Sequence, residues 1–255
     1  MNGSTPLRSL TPRHGWAWRR CRAFTLIEIL VTIGVIGVLL AILIPVLAGG
    51  RSTAQGTASL ANLRSIGQLV HAYAEQYDET YPWATGGVNG CEIPMQFRPV
   101  WRMARLWPVS MHEVIPPREL VPLTLAPGAR REGDEQACGH PPSYEYSASF
   151  LARPETWDGR TAADDTLLRG VTLGMVTHPS SKALMWEWEL PYKSEEPRKD
   201  GPDLAEPTPM LFVDGHARAR TPSKATEAVP NPFPDAFRPT ARLHNTPDGV
   251  RGRDY

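Results

Sequence analysis

The chain has 255 residues, with 27 basic against 27 acidic side chains and 41% apolar residues. That length allows one core domain of roughly 100–200 residues with extensions. The charge balance removes any whole-chain attraction to nucleic acid or to an anionic membrane, and three cysteines exclude a dense disulfide scaffold. Of 26 prolines only Pro6, Pro12 and Pro45 precede residue 82, so the chain divides into a helical front and a proline-punctuated rear in which long helices are disfavoured.

Residues 24–47 read FTLIEILVTIGVIGVLLAILIPVL, with Glu28 as the one ionisable group. Seventeen of these 24 residues are Leu, Ile, Val or Phe. A helix of this length reaches ~36 Å, enough to cross a ~30 Å hydrocarbon layer with some tilt. Each large apolar residue favours insertion by about 0.3–0.6 kcal/mol, against roughly 3 kcal/mol for a central carboxylate, so the apolar side wins. Ahead of the run stand Arg8, Arg13, Arg19, Arg20 and Arg22 with no acid, which keeps the amino terminus cytoplasmic and sends the bulk of the chain across.

Three kinds of processing compete for this segment. A secretory signal peptide cut after Ala48 has the small residues it needs, but its apolar run is far longer than the usual 7–15 residues. Arg19-Arg20 points to a twin-arginine signal, yet Cys21-Arg22-Ala23-Phe24 fits that pattern poorly. The third reading accounts for more residues. A basic leader ends at Ala23, Phe24-Thr25-Leu26-Ile27-Glu28 opens a long apolar helix, and Pro45 sits near its end.

In these residues the chain resembles the type IV prepilin and type II secretion pseudopilin family. It departs from the family's usual pattern in having Ala at position 23 where Gly is common, and in a 23-residue leader. The resemblance implies that a prepilin peptidase/N-methyltransferase cuts between Ala23 and Phe24 and methylates the new amino group. It implies that Glu28 directs assembly by pairing with the Phe24 ammonium of a neighbouring subunit, and that Pro45 kinks the helix. Losing the five leader arginines leaves 22 basic against 27 acidic side chains.

Beyond the apolar run, Leu60, Leu63, Ile66 or Gly67, Val70, Tyr73 and Tyr77 recur at spacings of three and four. This predicts an amphipathic stalk helix within residues 48–81 that buries its stripe on a carboxy-terminal sheet and stops before Pro82. His71 reads as a surface residue of that helix. Asn62-Leu63-Arg64-Ser65-Ile66-Gly67, Tyr73, Tyr77 and Tyr81-Pro82, with Asp214-Gly215-His216 downstream, are similar to a pilin-like group abundant in planctomycetes. The histidine this group often places nine residues before Asp-Gly is absent, since Leu204 is there.

Residues 82–220 read as an extracytoplasmic, β-rich head in which Trp83, Trp101 and Trp107 pack loops. Ser143–Leu151, Val171–Thr177 and Ala183–Leu190 read as strands. Met210–Val213 and His216–Arg220 flank Asp214-Gly215, a two-residue hairpin signal of type I′. Residues 221–255, with six prolines and six large apolar residues, read as a loosely ordered tail.

Catalytic motifs are missing. His112-Glu113 opens like a zinc-protease helix, but Pro116 stands where the second histidine is needed. No phosphate-binding glycine loop, Gly-x-Ser-x-Gly or Cys-x-x-Cys is present. Cys91 and Cys138 could pair on an oxidising side of the membrane. No metal or cofactor is expected, and the acidic stretch with Asp200, Asp203 and Glu206 is the one calcium candidate, without EF-hand spacing.

The expectation is an α+β, pilin-like, single-pass protein of the inner membrane with an extracytoplasmic head. Leader 1–23 and membrane helix 24–47 precede the stalk, head and tail. The protein would be a structural, minor subunit of a type II secretion pseudopilus or type IV pilus-like filament and not an enzyme. Its partners would be the peptidase, other pilin-like subunits and membrane lipid, with no nucleic acid. The alternatives are an anchored module that binds a polymer or ion, and an anchored hydrolase.

Overall fold

The computed structural model describes residues 24–83, 104, 107–112, 114–129, 142–160, 165–193, 205–232 and 241–255. The chain forms two compact units, Met1–Ala48 and Gly49–Tyr255. A 51-residue helix, α1 (Leu26–Gln76), starts in the first and ends in the second, with Pro45 inside it. In the first unit the large apolar side chains from Phe24 to Leu47 are 48–80% exposed. Water does not tolerate so continuous an apolar surface, so it calls for lipid or other helices.

In the second unit the later half of α1 is amphipathic as its spacing predicts. Leu63, Ile66, Val70 and Ala74 are fully buried, and Tyr73 and Tyr77 stack with ring centroids 4.3 Å apart. Gly67 lies on the same face, where an added Cβ would come within 2.9 Å of Leu211 Cδ1. The helix ends where Asp78 (φ 49°) and Glu79 (φ 55°) turn into the left-handed region, before Pro82.

The sheet has four antiparallel strands in chain order: β1 (Tyr144–Tyr146), β2 (Ala183–Glu187), β3 (Thr208–Phe212) and β4 (Ala217–Arg220). With the long helix it makes the α+β arrangement expected from the sequence. One face packs on α1 through a cluster that joins Leu63, Ile66 and Val70 to Tyr146, Met185 and Leu211. On the opposite face Ala183, Trp186, Met210 and Phe212 are covered by Ala225 and Leu243, with Tyr255 against them. Because both faces are covered, all five residues of β2 and of β3 are buried, and the strands lack a solvent face.

Four expectations need correction. Residues 221–255 are not a loose tail in their described parts. Residues 241–255 bury Ala241, Leu243, His244, Asn245, Thr246, Val250 and Asp254, since the outer sheet face would otherwise stay open. The strand expected over Ser143–Leu151 ends at Tyr146, where Ser147 caps a 3₁₀ turn, Ala148–Phe150. Val171–Thr177 forms a single bridge, Thr172 to Thr80, followed by a 3₁₀ turn at Leu173–Met175, because its partner is only the short exit from α1.

The hairpin at Asp214-Gly215 exists but is not a two-residue I′ turn. Gly215 N–H donates to Phe212 O at 2.9 Å, and Phe212 N–H donates to His216 O at 2.9 Å. Gly215 alone has positive φ, at 85°, so the loop is Val213-Asp214-Gly215 with glycine at the left-handed position.

Candidate functional site

The start of α1 is built from Thr25 and Glu28. Thr25 N–H and Thr25 Oγ1 both donate to Glu28 Oε2 at 2.8 Å, and Glu28 N–H donates back to Thr25 Oγ1 at 3.3 Å. This is a capping box, Thr-x-x-Glu, in which side chains satisfy backbone donors that the first helical turn leaves open. The reason for an acid in this apolar run is therefore partly local, which the sequence reading did not anticipate. Among the described residues both donors fall on Oε2, which leaves Oε1 for a further one. Phe24, beside it, is 79% exposed. Ala23 lies outside the described residues.

The family model described as prokaryotic N-terminal methylation motif matches residues 18–44. The match supports a type IV prepilin-like protein. The matched stretch contains the Ala23–Phe24 bond, the capping box and most of the apolar run, and it ends one residue before Pro45. Searches of the curated proteins and of the solved structures find no significant match. Among the described residues, α1 is the one helix long and apolar enough to cross a membrane.

The second unit of the chain offers three polar sites. At the hairpin, Asp214 Oδ1 accepts from His216 N–H at 3.2 Å and meets His216 Nδ1 at 2.5 Å. The His216 ring stacks on Phe212, with centroids 4.4 Å apart and planes 3° from parallel. His71 is half-buried and puts Nε2 3.0 Å from Val213 O, so it braces the hairpin against α1. Arg64, Gln68, His71, Glu75, Asp214 and Gly215 line an open groove there.

The second site joins α1 to the sheet. Ser59 Oγ donates to Glu187 Oε2 at 2.5 Å, Tyr192 Oη donates to the same oxygen at 2.9 Å, and Tyr144 Oη lies 3.2 Å from Ser59 Oγ. Glu187 Oε1 is buried and has no hydrogen-bond partner among the described residues. Burial pushes the Glu187 carboxyl up to about 7, against the smaller opposing effect of the Ser59 and Tyr192 hydroxyls. Burial likewise pushes the Tyr144 phenol up to about 12.

The third site holds the carboxy-terminal segment. Lys182 Nζ, fully buried, meets Asp254 Oδ2 at 3.2 Å and donates to Thr246 Oγ1 at 2.6 Å and Ser149 Oγ at 3.2 Å. Asp254 Oδ2 also accepts from Ala183 N–H at 2.8 Å. Desolvation holds the lysine below its ordinary value, and the Asp254 carboxylate opposes that. Nearby, His244 Nδ1 accepts from Ala148 N–H at 3.1 Å, which puts the ring proton on Nε2, 3.5 Å from Glu145 Oε2. No motif marks Lys182, Glu187 or Asp254, so sequence reading missed all three.

The remaining candidates divide. Trp107 is buried and donates to Tyr144 O at 2.9 Å, and Trp83 donates to Leu151 O at 3.3 Å, so both pack loops as expected. Cys91, Cys138, Asp200 and Asp203 lie outside the described residues. Among the described residues, which include Glu206, no group of three or more His, Cys, Asp or Glu is placed to hold a metal ion.

Proposed function

We propose that this chain is a structural, minor subunit of a type II secretion pseudopilus or a type IV pilus-like filament, and not an enzyme. Prepilin peptidase removes residues 1–23 on the cytoplasmic side and methylates Phe24. The apolar half of α1 then anchors the subunit in the inner membrane, with the unit from Gly49 onward on the extracytoplasmic side. Other pilin-like subunits draw it from lipid into a filament.

The observation that carries this reading is the capping box inside the methylation motif. A carboxylate in lipid is costly unless it is paired. Thr25 satisfies Oε2, and the ammonium of a neighbouring Phe24 would satisfy Oε1. Such a contact between different surfaces on successive copies propagates without closing, which is how a filament grows.

Mass spectrometry of the protein purified from its native membrane tests the processing step. A mature chain starting at N-methylated Phe24 is expected, whereas a start at Gly49 or a retained leader overturns the proposal. The Glu28→Ala variant tests assembly: it should be cleaved normally and stay in the membrane fraction without entering filaments.

A further inference from the structure

We propose that the free edge of β4 is a docking strip for an extended acidic peptide segment, which adds there as a fifth strand. The inference concerns the second unit alone and stands whether or not the chain assembles into filaments.

The strip reads His216-Ala217-Arg218-Ala219-Arg220, a period-two pattern. Successive side chains of a strand point to opposite faces, so His216, Arg218 and Arg220 share one face. Each lies over an aromatic ring or beside one. His216 stacks on Phe212, the Arg218 guanidinium carbon is 5.1 Å from the Phe212 centroid, and that of Arg220 is 5.3 Å from the Tyr255 centroid. Stacking holds the guanidiniums in place, which reduces the entropy lost when they bind. Among the described residues neither arginine has a carboxylate partner within ion-pair distance. Arg220 Nε and His216 Nε2 are sheltered atoms without a hydrogen-bond partner among the described residues.

Among the described residues the backbone of the edge is also open. In the sheet β4 pairs, among the described residues, with β3 alone. The bond from Phe212 N–H to His216 O sets the phase of the ladder, so Arg218 and Arg220 face β3 while Ala217 and Ala219 turn their N–H and C=O outward. The Ala217 carbonyl accepts from Arg64 at 3.0 Å. Ala219 is exposed, and its outward groups have no partner among the described residues.

These two features together select the occupant. A row of guanidiniums alone would accept any polyanion, but the outward N–H and C=O of Ala219, with the outward N–H of Ala217, match another polypeptide strand. Arg218 and Arg220 are about 6.6 Å apart along the strand, which matches carboxylates on alternate residues of a partner strand. A second copy of β4 would bring arginine against arginine, so the strip rejects self-pairing and admits an acidic strand.

Fluorescence anisotropy tests this with the full chain in detergent micelles and a dye-labelled Glu-Thr repeat peptide of eight residues. Saturable binding is expected. A peptide of the same composition with its glutamates contiguous should bind at least tenfold more weakly, as should a repeat with proline in place of two threonines. The R218E/R220E variant should lose at least tenfold in affinity for the alternating peptide. Equal binding of all three peptides by the wild-type chain overturns the proposal, as does absence of saturable binding. Unchanged affinity in the charge-reversed variant overturns it too. The peptide controls act on wild-type protein, so the result does not hinge on the variant's folding.

Discussion

Ser59 on α1 and Glu187 on β2 share a hydrogen bond of 2.5 Å with both side chains fully shielded from water. It ties the stalk helix to the centre of the sheet through a carboxyl group that prefers to keep its proton. Tyr144 approaches from β1, and Tyr192, Lys193 and Glu189 from the segment after β2. Lys193 favours the carboxylate and Glu189 opposes it, each less than burial does.

The sign of the pH effect follows. The folded Glu187 carboxyl titrates near 7 and the unfolded one near 4.5. Its contribution is full below about pH 4.5 and is lost as pH rises through about 7, amounting to as much as about 3 kcal/mol. Urea unfolding followed by tryptophan fluorescence at pH 5 and pH 8 should show the protein less stable at the higher pH. Glu187→Gln should flatten that difference and be the more stable of the two at pH 8.

Asp254→Ala leaves the Lys182 ammonium buried without its counter-charge and Ala183 N–H without an acceptor. The expected loss is about 3–5 kcal/mol. Asp254→Asn keeps an acceptor for Ala183 and should cost less. Denaturation midpoints of the three proteins check the order.

At Gly67 two effects oppose each other. Alanine would gain up to about 1 kcal/mol of helix propensity, while crowding of a packed core costs roughly 1–3 kcal/mol. Because the nearest atom is the tip of Leu211, Gly67→Ala should change stability little. Gly67→Val, whose branches extend further into β3, should be destabilising by about 1–3 kcal/mol and should lower the thermal midpoint.

Gly215→Ala meets no steric neighbour within 4 Å, so its cost is conformational alone. A φ of 85° should cost an L-residue about 1–2 kcal/mol. Equal thermal midpoints for Gly215→Ala and wild type would contradict the three-residue loop described above.

Much of this was legible in the residues themselves. The apolar run and its following stripe predicted α1, and Asp214-Gly215 marked the β3–β4 connection. The error there was one residue of loop, because a glycine in a left-handed conformation serves both hairpin types. What the sequence concealed is the covering of the outer sheet face. His244, Asn245, Thr246 and Asp254 are small or polar and show no period, yet the segment is held because the Leu243 and His244 carbonyls accept from the Ser147 and Ser149 hydroxyls, and Thr246 and Asp254 accept from one lysine 64–72 residues away in the chain. Periodicity detects elements that bury apolar stripes; it has no signal for a segment anchored by hydrogen bonds. For the same reason β2 and β3, buried on both sides, could not be told from half-exposed strands.

The placement of Asp254 opposite Lys182 has a consequence for biogenesis. Strands β1 to β4 pair in the order in which they are synthesised, so a meander can form progressively. Lys182, however, finds its counter-ion only when residue 254 has emerged. Until then the outer layer lacks residues 241–255 and the ammonium must stay hydrated, so this segment seals a sheet whose strands have already paired. A chain shortened before residue 241 would keep its four strands but leave their outer face partly uncovered.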